Sequence, residues 1–414
     1  MQPGPVADSS RPLRVALVTH SYFEEDPRLR RQAEALTAAG FRLDVIALRR
    51  PGDAEEGELD RAHVVRLPVR RHQGAGIASY LAEYSAFLVR AMVTLVRRHR
   101  HRRYDVVSIA SPPDPLVFAA LPLRLAGVPV ILDLHEATPE FFASRFPRAA
   151  NRWSRAVLRL AERISIATAT VAVSVNALRQ ARLIGLGYDP DRLRIVANGP
   201  SLARFRPDEH PIRPFMADGV LRLVYAGAVT PLYELDVALR AVAEILARRP
   251  GLGVHLDIFG RGDSEPRLRE LADELGLVDS VTLHGRIPLD SVAAALAAAD
   301  IGLSPLTADS FTAISMPTKV LEYAAMGKPS VVADTAAARD QFGSDDLCWY
   351  ASGSATSMAT SLLQLVDDAQ ARDLAREGSR ARALELSWDA EAPAYVELVR
   401  AVAQRRPLPP PRER

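Results

Sequence analysis

Short apolar runs rich in β-branched residues alternate with amphipathic, helix-length stretches along most of the chain. In the first half the runs predict strands at 13–19, 41–48, 63–67, 105–110, 128–134, 170–174 and 193–197. Helices are predicted between them at 26–39, 78–103, 115–126, 151–166 and 175–185. Runs that stay apolar at consecutive positions, such as Val15 to Val18, belong to strands covered on both faces, the mark of a parallel sheet. After a proline-bearing stretch at 199–218 the pattern restarts, with strands at 221–226, 253–259, 280–284, 300–305 and 329–333 and helices near 233–248, 264–275, 289–298 and 317–326. The fold class expected is α/β: two Rossmann-like, doubly wound parallel-sheet domains, 13–198 and 219–385, facing a central cleft. A C-terminal helix at 386–404 crosses back to the first domain, and 1–12 and 405–414 are expected to be disordered. Ligands of such sheets sit at the carboxyl ends of the strands.

Composition changes this picture in three places. The length of 414 residues suits two domains with full cores. The single cysteine, Cys348, excludes a disulfide scaffold and a cysteine zinc cluster. The net charge of +2 hides an uneven spread: residues 1–205 hold 30 Arg and 20 acids, the remainder 22 cations and 30 acids. A basic first half fits an anionic partner. The start lacks the pattern of a signal peptide and there is no run of 18 apolar residues, so the expected location is cytoplasmic. Residues 78–103 form an apolar helix ending in a dense basic cluster. It reads either as peripheral contact with an anionic membrane at its inner face or as cations at an ordinary helix C-terminus. Nucleic acid is not an expected partner.

The segment 311–333, FTAISMPTKVLEYAAMGKPSVVA, breaks a local rule. Pro317 starts a helix and Gly327 with Pro329 ends it, which puts Lys319 in the first turn, where the helix dipole disfavours a cation. An anion at the helix N-terminus repairs this, because free backbone N–H groups and the lysine converge on one charge. Glu322, on the same face, lies within reach of hydroxyls attached to that anion; phosphate plus sugar ring describes a nucleotide. The bland alternative is a surface Lys319–Glu322 pair. The chain uses Arg 50 times and Lys twice, and both lysines, Lys319 and Lys328, fall in this segment.

PTKVLEYAAMGKPSVV resembles the donor-site helix of family-4-type retaining glycosyltransferases with the GT-B fold. Further segments agree in order: THSYFEEDPRLRRQAEALTAAGFRLDVIAL, YDVVSIASPPDPL, GVPVILDLHE, RIVANGPSLARFRP, YAGAVTPLYELDVALRAV and VTLHGRIPLDSVAAALAAADIGLSP. The resemblance implies that Glu322 holds the donor ribose, that His135 lies by the donor's sugar and phosphate, and that Gly227 lets backbone approach the diphosphate. Arg286 and Ile287 would lie in the loop that pairs with the base, and Gly260 and Arg261 would border it. Ser315 and Thr318, beside the start of the helix, join Lys319 as donor contacts. His135 and Lys319 are the expected catalytic residues. Ser21 is expected to face the acceptor, and Asp26, Arg28 and Arg31 either face the acceptor or cap and decorate a helix. The partners implied are a nucleotide-sugar donor and an unidentified acceptor, with no cofactor and no metal.

Three positions depart from the family pattern. Its Arg after the loop glycine is Ala228, and the loop segment TPLYEL that follows has no cation. Its first glutamate is Ile314, which leaves the donor sugar open. Asp189-Pro190-Asp191 matches a metal-binding Asp-x-Asp pattern but reads as a turn. GRGDSE carries Glu265 where a dinucleotide fingerprint needs glycine. A nucleotide-sugar epimerase and a non-catalytic nucleotide-sugar-binding relative are the alternative functions.

Overall fold

The computed structural model describes residues 11–69, 77–146, 148–211 and 213–410. The chain divides into two compact units, Met1–Ala197 with Glu391–Arg414, and Asn198–Ala390.

The first unit is built on β1 (Arg14–Thr19), β2 (Arg42–Leu48), β3 (Glu56–Leu59), β4 (Ala62–Leu67), β5 (Val106–Ser111), β6 (Val130–Leu134), β7 (Val171–Ser174) and β8 (Leu193–Ile195). They form one sheet in the order β3-β4-β2-β1-β5-β6-β7-β8. All pairs are parallel except β3–β4, an edge hairpin whose polar sequence EGEL carries no apolar signal. The helices are α1 (Pro27–Ala38), α2 (Ile77–Arg102), α3 (Leu121–Leu125), α4 (Thr138–Arg145), α5 (Arg152–Thr168) and α6 (Ala177–Gly185). Part of the helix expected at 115–126 is instead a 3-10 segment, Asp114–Ala120, entered through Pro112 and Pro113.

The second unit has β9 (Val220–Ala226), β10 (Gly253–Phe259), β11 (Val281–Gly285), β12 (Ile301–Ser304), β13 (Ser330–Ala333) and β14 (Cys348–Tyr350), all parallel, in the order β11-β10-β9-β12-β13-β14. Its helices are α7 (Leu235–Arg248), α8 (Glu265–Glu274), α9 (Leu289–Ala297), α10 (Thr318–Ala325), α11 (Ala336–Gln341), α12 (Ala355–Asp367) and α13 (Ala369–Glu385). The final helix, α14 (Trp388–Ala403), starts in this unit and belongs to the first from Glu391 onward.

The doubly wound architecture read from the periodicity is the one observed. In each unit the strand order reverses beside the first strand, at β1/β5 and at β9/β12, and at β9/β12 the pairing stops at Gly302–Val224, short of both carboxyl ends, which leaves a crevice. In the second unit the crevice is braced by Tyr323 of α10. Its hydroxyl donates to Leu303 O of β12 (2.9 Å) and accepts from Ala226 N of β9 (3.3 Å), taking over pairing that the diverging strands give up. Gly302 makes room, since a Cβ there would lie 2.4 Å from the Tyr323 ring.

The ends differ from expectation where they are described. Arg11 forms a forked pair with Asp105 (3.0 and 2.6 Å). Arg405 donates to Gly127 O (2.6 Å), and Pro409 O accepts from Arg194 Nε (2.8 Å). Arginine hydrogen bonds thus anchor Arg11, Arg405 and Pro409, which lie in segments expected to be disordered; residues 1–10 and 411–414 lie outside the described residues. The stretch 199–218 is part of the second unit, where Arg213 pairs with Asp300 and Asp218.

Candidate functional site

In the second unit the site begins at α10. Pro317 stands at the helix start and supplies no side-chain cap, while the Val320 N–H bonds back to Pro317 O (3.3 Å). Lys319, in that turn, turns inward and is only 5% exposed. Its Nζ lies 3.9 Å from the Tyr225 ring centre and 3.8 Å from that of Tyr233 and, among the described residues, makes no hydrogen bond. Burial holds the amine well below the usual lysine range, and the charge of Glu322 offsets only part of that. Lys319 and Tyr323 stand one turn apart on the same face, so the helix delivers a cation and a strand brace to one crevice.

Nζ also reaches the loop after β9. A Cβ at Gly227 would sit 2.9 Å from Nζ and 3.0 Å from the Tyr225 hydroxyl, so any larger residue there must displace the lysine amine. The loop without a cation of its own receives one from the helix 90 residues on, and Tyr233 of TPLYEL forms one wall around it. Ala228 is exposed, and its carbonyl accepts the Tyr225 hydroxyl at 2.5 Å. The strand ends are laced through backbone: Gly227 N–H donates to Phe259 O (2.9 Å), Val229 N–H to Arg261 O (3.1 Å) and Gly260 N–H to Gly285 O (2.8 Å).

Gly260 (φ +147°) is the tightest point, because a Cβ there would lie 1.7 Å from Gly227 O. Gly260→Ala should therefore destabilise the second unit by about 2–4 kcal/mol, from steric displacement plus a disfavoured backbone region. Calorimetry will show this as a lowered transition, and an unchanged midpoint would contradict the close approach.

Arg261 and Arg286 are exposed and Ile287 half-buried, all beyond the β10 and β11 ends. Ser315 and Thr318 are half-buried; Ser315 follows the single 3-10 turn Thr312–Ile314 that carries Ile314. Glu322 is half-buried on α10. Lys328 has a different task from Lys319. Its Nζ donates to Ala297 O (2.8 Å) and Ala299 O (2.7 Å), closing the end of α9.

In the first unit Asp133, at the end of β6, is buried and accepts from Arg28 Nη2 (2.5 Å) and Gln32 Nε2 (2.7 Å), both from α1. The half-buried His135 brings Nε2 to 3.3 Å from the same carboxylate. Burial pushes the Asp133 carboxyl up, but Arg28, His135 and Gln32 together outweigh it and hold it below the usual carboxylate range. The His135 backbone oxygen accepts from Arg179 of α6, which also pairs with Glu136 (3.0 Å). Tyr395 of α14 is buried close enough to Asp133 and Arg28 to feel both charges. His135 is thus held directly by Asp133 and Arg179, with α1 and α14 packed on Asp133.

Arg28, one of the residues given an acceptor role, is buried and committed to Asp133; it holds the His135 strand end. Asp26 is the N-cap of α1, accepting from Leu29 N (3.2 Å) and from the Ser21 hydroxyl (2.9 Å). Asp26 thus caps α1 and Arg28 packs on the β6 end. Asp189 caps its own turn by accepting from Asp191 N (3.0 Å). Among the described residues no cluster of His, Cys, Asp or Glu could hold a metal ion. No described helix is long and apolar enough to cross a membrane. In the basic end of α2, Arg98 pairs with Glu56 and Arg102 with Asp44 (2.6 Å), so part of that cluster is already neutralised.

Sequence reasoning missed the tyrosine walls of the Lys319 chamber, for which the only local signal was the Lys319–Tyr323 spacing. It also missed the buried His20–Glu83 pair (3.1 Å) at the end of β1, whose partners lie on separate elements.

Comparison with known proteins agrees with this geometry. Residues 26–199 match the family model described as glycosyl transferase 4-like domain, and 221–368 the one described as glycosyl transferases group 1. A D-inositol 3-phosphate glycosyltransferase from Acidothermus cellulolyticus is 30% identical over 297 residues, covering 68% of this chain and 64% of the relative. One of the same name from Thermomonospora curvata is 29% identical over 242 residues, covering 54% of this chain and 55% of the relative. The matches thus span little more than half of those relatives' own length. The sucrose-phosphate synthase of Thermosynechococcus elongatus superposes with a TM-score of 0.74 at 17% identity, covering 94% of this chain and 99% of that one. The chain belongs to the family-4-type glycosyltransferases of the GT-B fold.

Proposed function

We propose that this chain is a retaining, metal-independent glycosyltransferase that takes a sugar from a nucleotide diphosphate and passes it to an acceptor held by the basic first unit. The observation that carries this reading is the buried Lys319 ammonium, without a hydrogen bond among the described residues, beside Gly227 at an α-helix N-terminus. A buried cation in that state is costly alone and favourable once a diphosphate arrives. Lys319 and the first-turn N–H groups would stabilise the negative charge that grows on the leaving diphosphate. Glu322 would hold the ribose, and His135, braced by Asp133, would orient the sugar. The diphosphate itself takes the acceptor proton on the face it leaves, so the protein supplies positioning and charge rather than a carboxylate nucleophile.

The test is a thermal-shift series with UDP, GDP, ADP and dTDP, followed by transfer assays with the matching sugar nucleotides. One nucleotide should stabilise the protein by about 2.7 kcal/mol at a hundredfold excess over its Kd. Transfer should persist in EDTA with the anomeric configuration kept. No stabilisation by any nucleotide, or donor conversion without an acceptor, overturns the reading.

A further inference from the structure

Helix α5 presents two parallel stripes to solvent. Trp153, Val157, Leu160 and Ile164 recur at i, i+4, i+7 and i+11, which places them in one row, and they are 69%, 65%, 57% and 46% exposed. Beside them run Arg152, Arg155, Arg159 and Arg163, all exposed. Among the described residues no carboxylate pairs with Arg155, Arg159 or Arg163, and Arg152 lies over the Trp153 ring at 5.1 Å. The only acid on the helix, Glu162, faces the other way, buried and bonded to Arg182 (2.9 and 3.3 Å). The outer face of α5 therefore carries four positive charges, no negative one, and an apolar row about 17 Å long.

Interior packing explains none of this. A solvated surface helix would have polar residues at the four apolar positions, and a site for another protein of mixed charge would not need an unbroken row of arginine. An apolar row flanked by cations matches one surface closely: the boundary between acyl chains and anionic headgroups. We propose that α5 docks the first unit on an anionic phospholipid bilayer, the apolar row entering the acyl boundary and the arginines engaging lipid phosphates. The aromatic ring and guanidinium at Trp153–Arg152 suit that depth, where one group is dry and the other wet. This differs from the contact expected at 78–103, where Arg98 and Arg102 already have carboxylate partners.

The experiment is co-sedimentation of the full chain with vesicles of phosphatidylcholine alone and with a third phosphatidylglycerol, with brominated lipid as a depth-dependent quencher. The protein should partition onto anionic vesicles, less so in high salt, with tryptophan quenching that Trp153→Phe removes while binding remains. Trp349 is bonded to Ser344 O and Trp388 is buried, so Trp153 is the ring that lipid can reach. Trp153→Ser with Leu160→Ser should weaken partition about tenfold or more, and each Arg→Gln at 155 or 159 about fivefold. All four residues are exposed, so unfolding midpoints should not move and loss of binding will not reflect loss of fold. Failure to partition onto anionic vesicles overturns the proposal, as does partition that the serine pair leaves intact. Self-association that the serine pair abolishes, without vesicle binding, also overturns it, because a second copy then covers the stripe. The surface is independent of the nucleotide reading: a protein that binds vesicles but no nucleotide refutes that reading and leaves this one standing.

Discussion

Lys319→Met will raise the melting temperature of the ligand-free protein and abolish its response to nucleotide. The wild-type ammonium is buried against two rings without a hydrogen bond among the described residues, an arrangement that costs about 1–3 kcal/mol relative to an apolar group of similar shape. Removing it should lift the second unit's transition by several degrees, at about 2–4 °C per kcal/mol for a domain of this size. Transfer should fall by about 10²–10³-fold, the usual cost of losing one charge-stabilising donor. The sign of the pH dependence follows from the depressed amine. Below its folded pKa both folded and unfolded chains carry the proton and the burial cost is fully felt; as pH rises from there towards the unfolded value the folded chain has already released it and the cost fades. The stability gain in Lys319→Met is therefore largest at low pH. Nucleotide binding favours the ammonium, takes up a proton, and weakens as pH rises. Thermal shifts across pH will measure both trends, and an unchanged kcat in the variant would remove Lys319 from the site.

Arg28→Met should be the most damaging single change in the first unit. It leaves Asp133 buried with Gln32 and a half-buried histidine as its remaining partners, and breaking a buried pair from one side costs about 3–5 kcal/mol. Asp133 is held below the usual range in the intact protein. Its contribution to stability is thus present above the unfolded carboxylate value and is lost as pH falls from there through the folded one. Without Arg28, burial prevails and raises Asp133, so acid unfolding should begin at higher pH. Urea titrations at pH 4, 5 and 7 will show this. A variant that unfolds like the wild type across that range would mean that Arg28 and Asp133 are not coupled. Because Asp133 orients His135, a parallel loss in kcat is expected at temperatures where the variant stays folded.

Much of this architecture was legible because parallel strands buried on both faces leave continuous apolar runs, as at 15–18 and 330–333. The strand β3 was not, since an edge hairpin needs no apolar face. The 3-10 segment 114–120 was read as α-helix because its apolar residues dominate the pattern while Pro112 and Pro113 control the backbone. At the site, the lysine in a first helical turn was visible as a broken rule. The direction it points was not, because the chamber is closed by Tyr225, Tyr233 and Gly227, which lie some 90 residues away in sequence. The pairing of Arg28 was hidden for the same reason: its partner is 105 positions on, and local pattern shows only a charged residue near a helix start.

The return of α14 to the first unit makes the second unit an uninterrupted insertion within it. On the ribosome the usual order of completion is therefore inverted. The inserted unit has its whole sequence in hand while the first still lacks the segment that buries Tyr395 against the Arg28–Asp133 pair. Until Tyr395 emerges, that charged centre lacks its cover, and a ribosome stalled between Ala390 and Tyr395 holds a complete second unit joined to an unfinished first one.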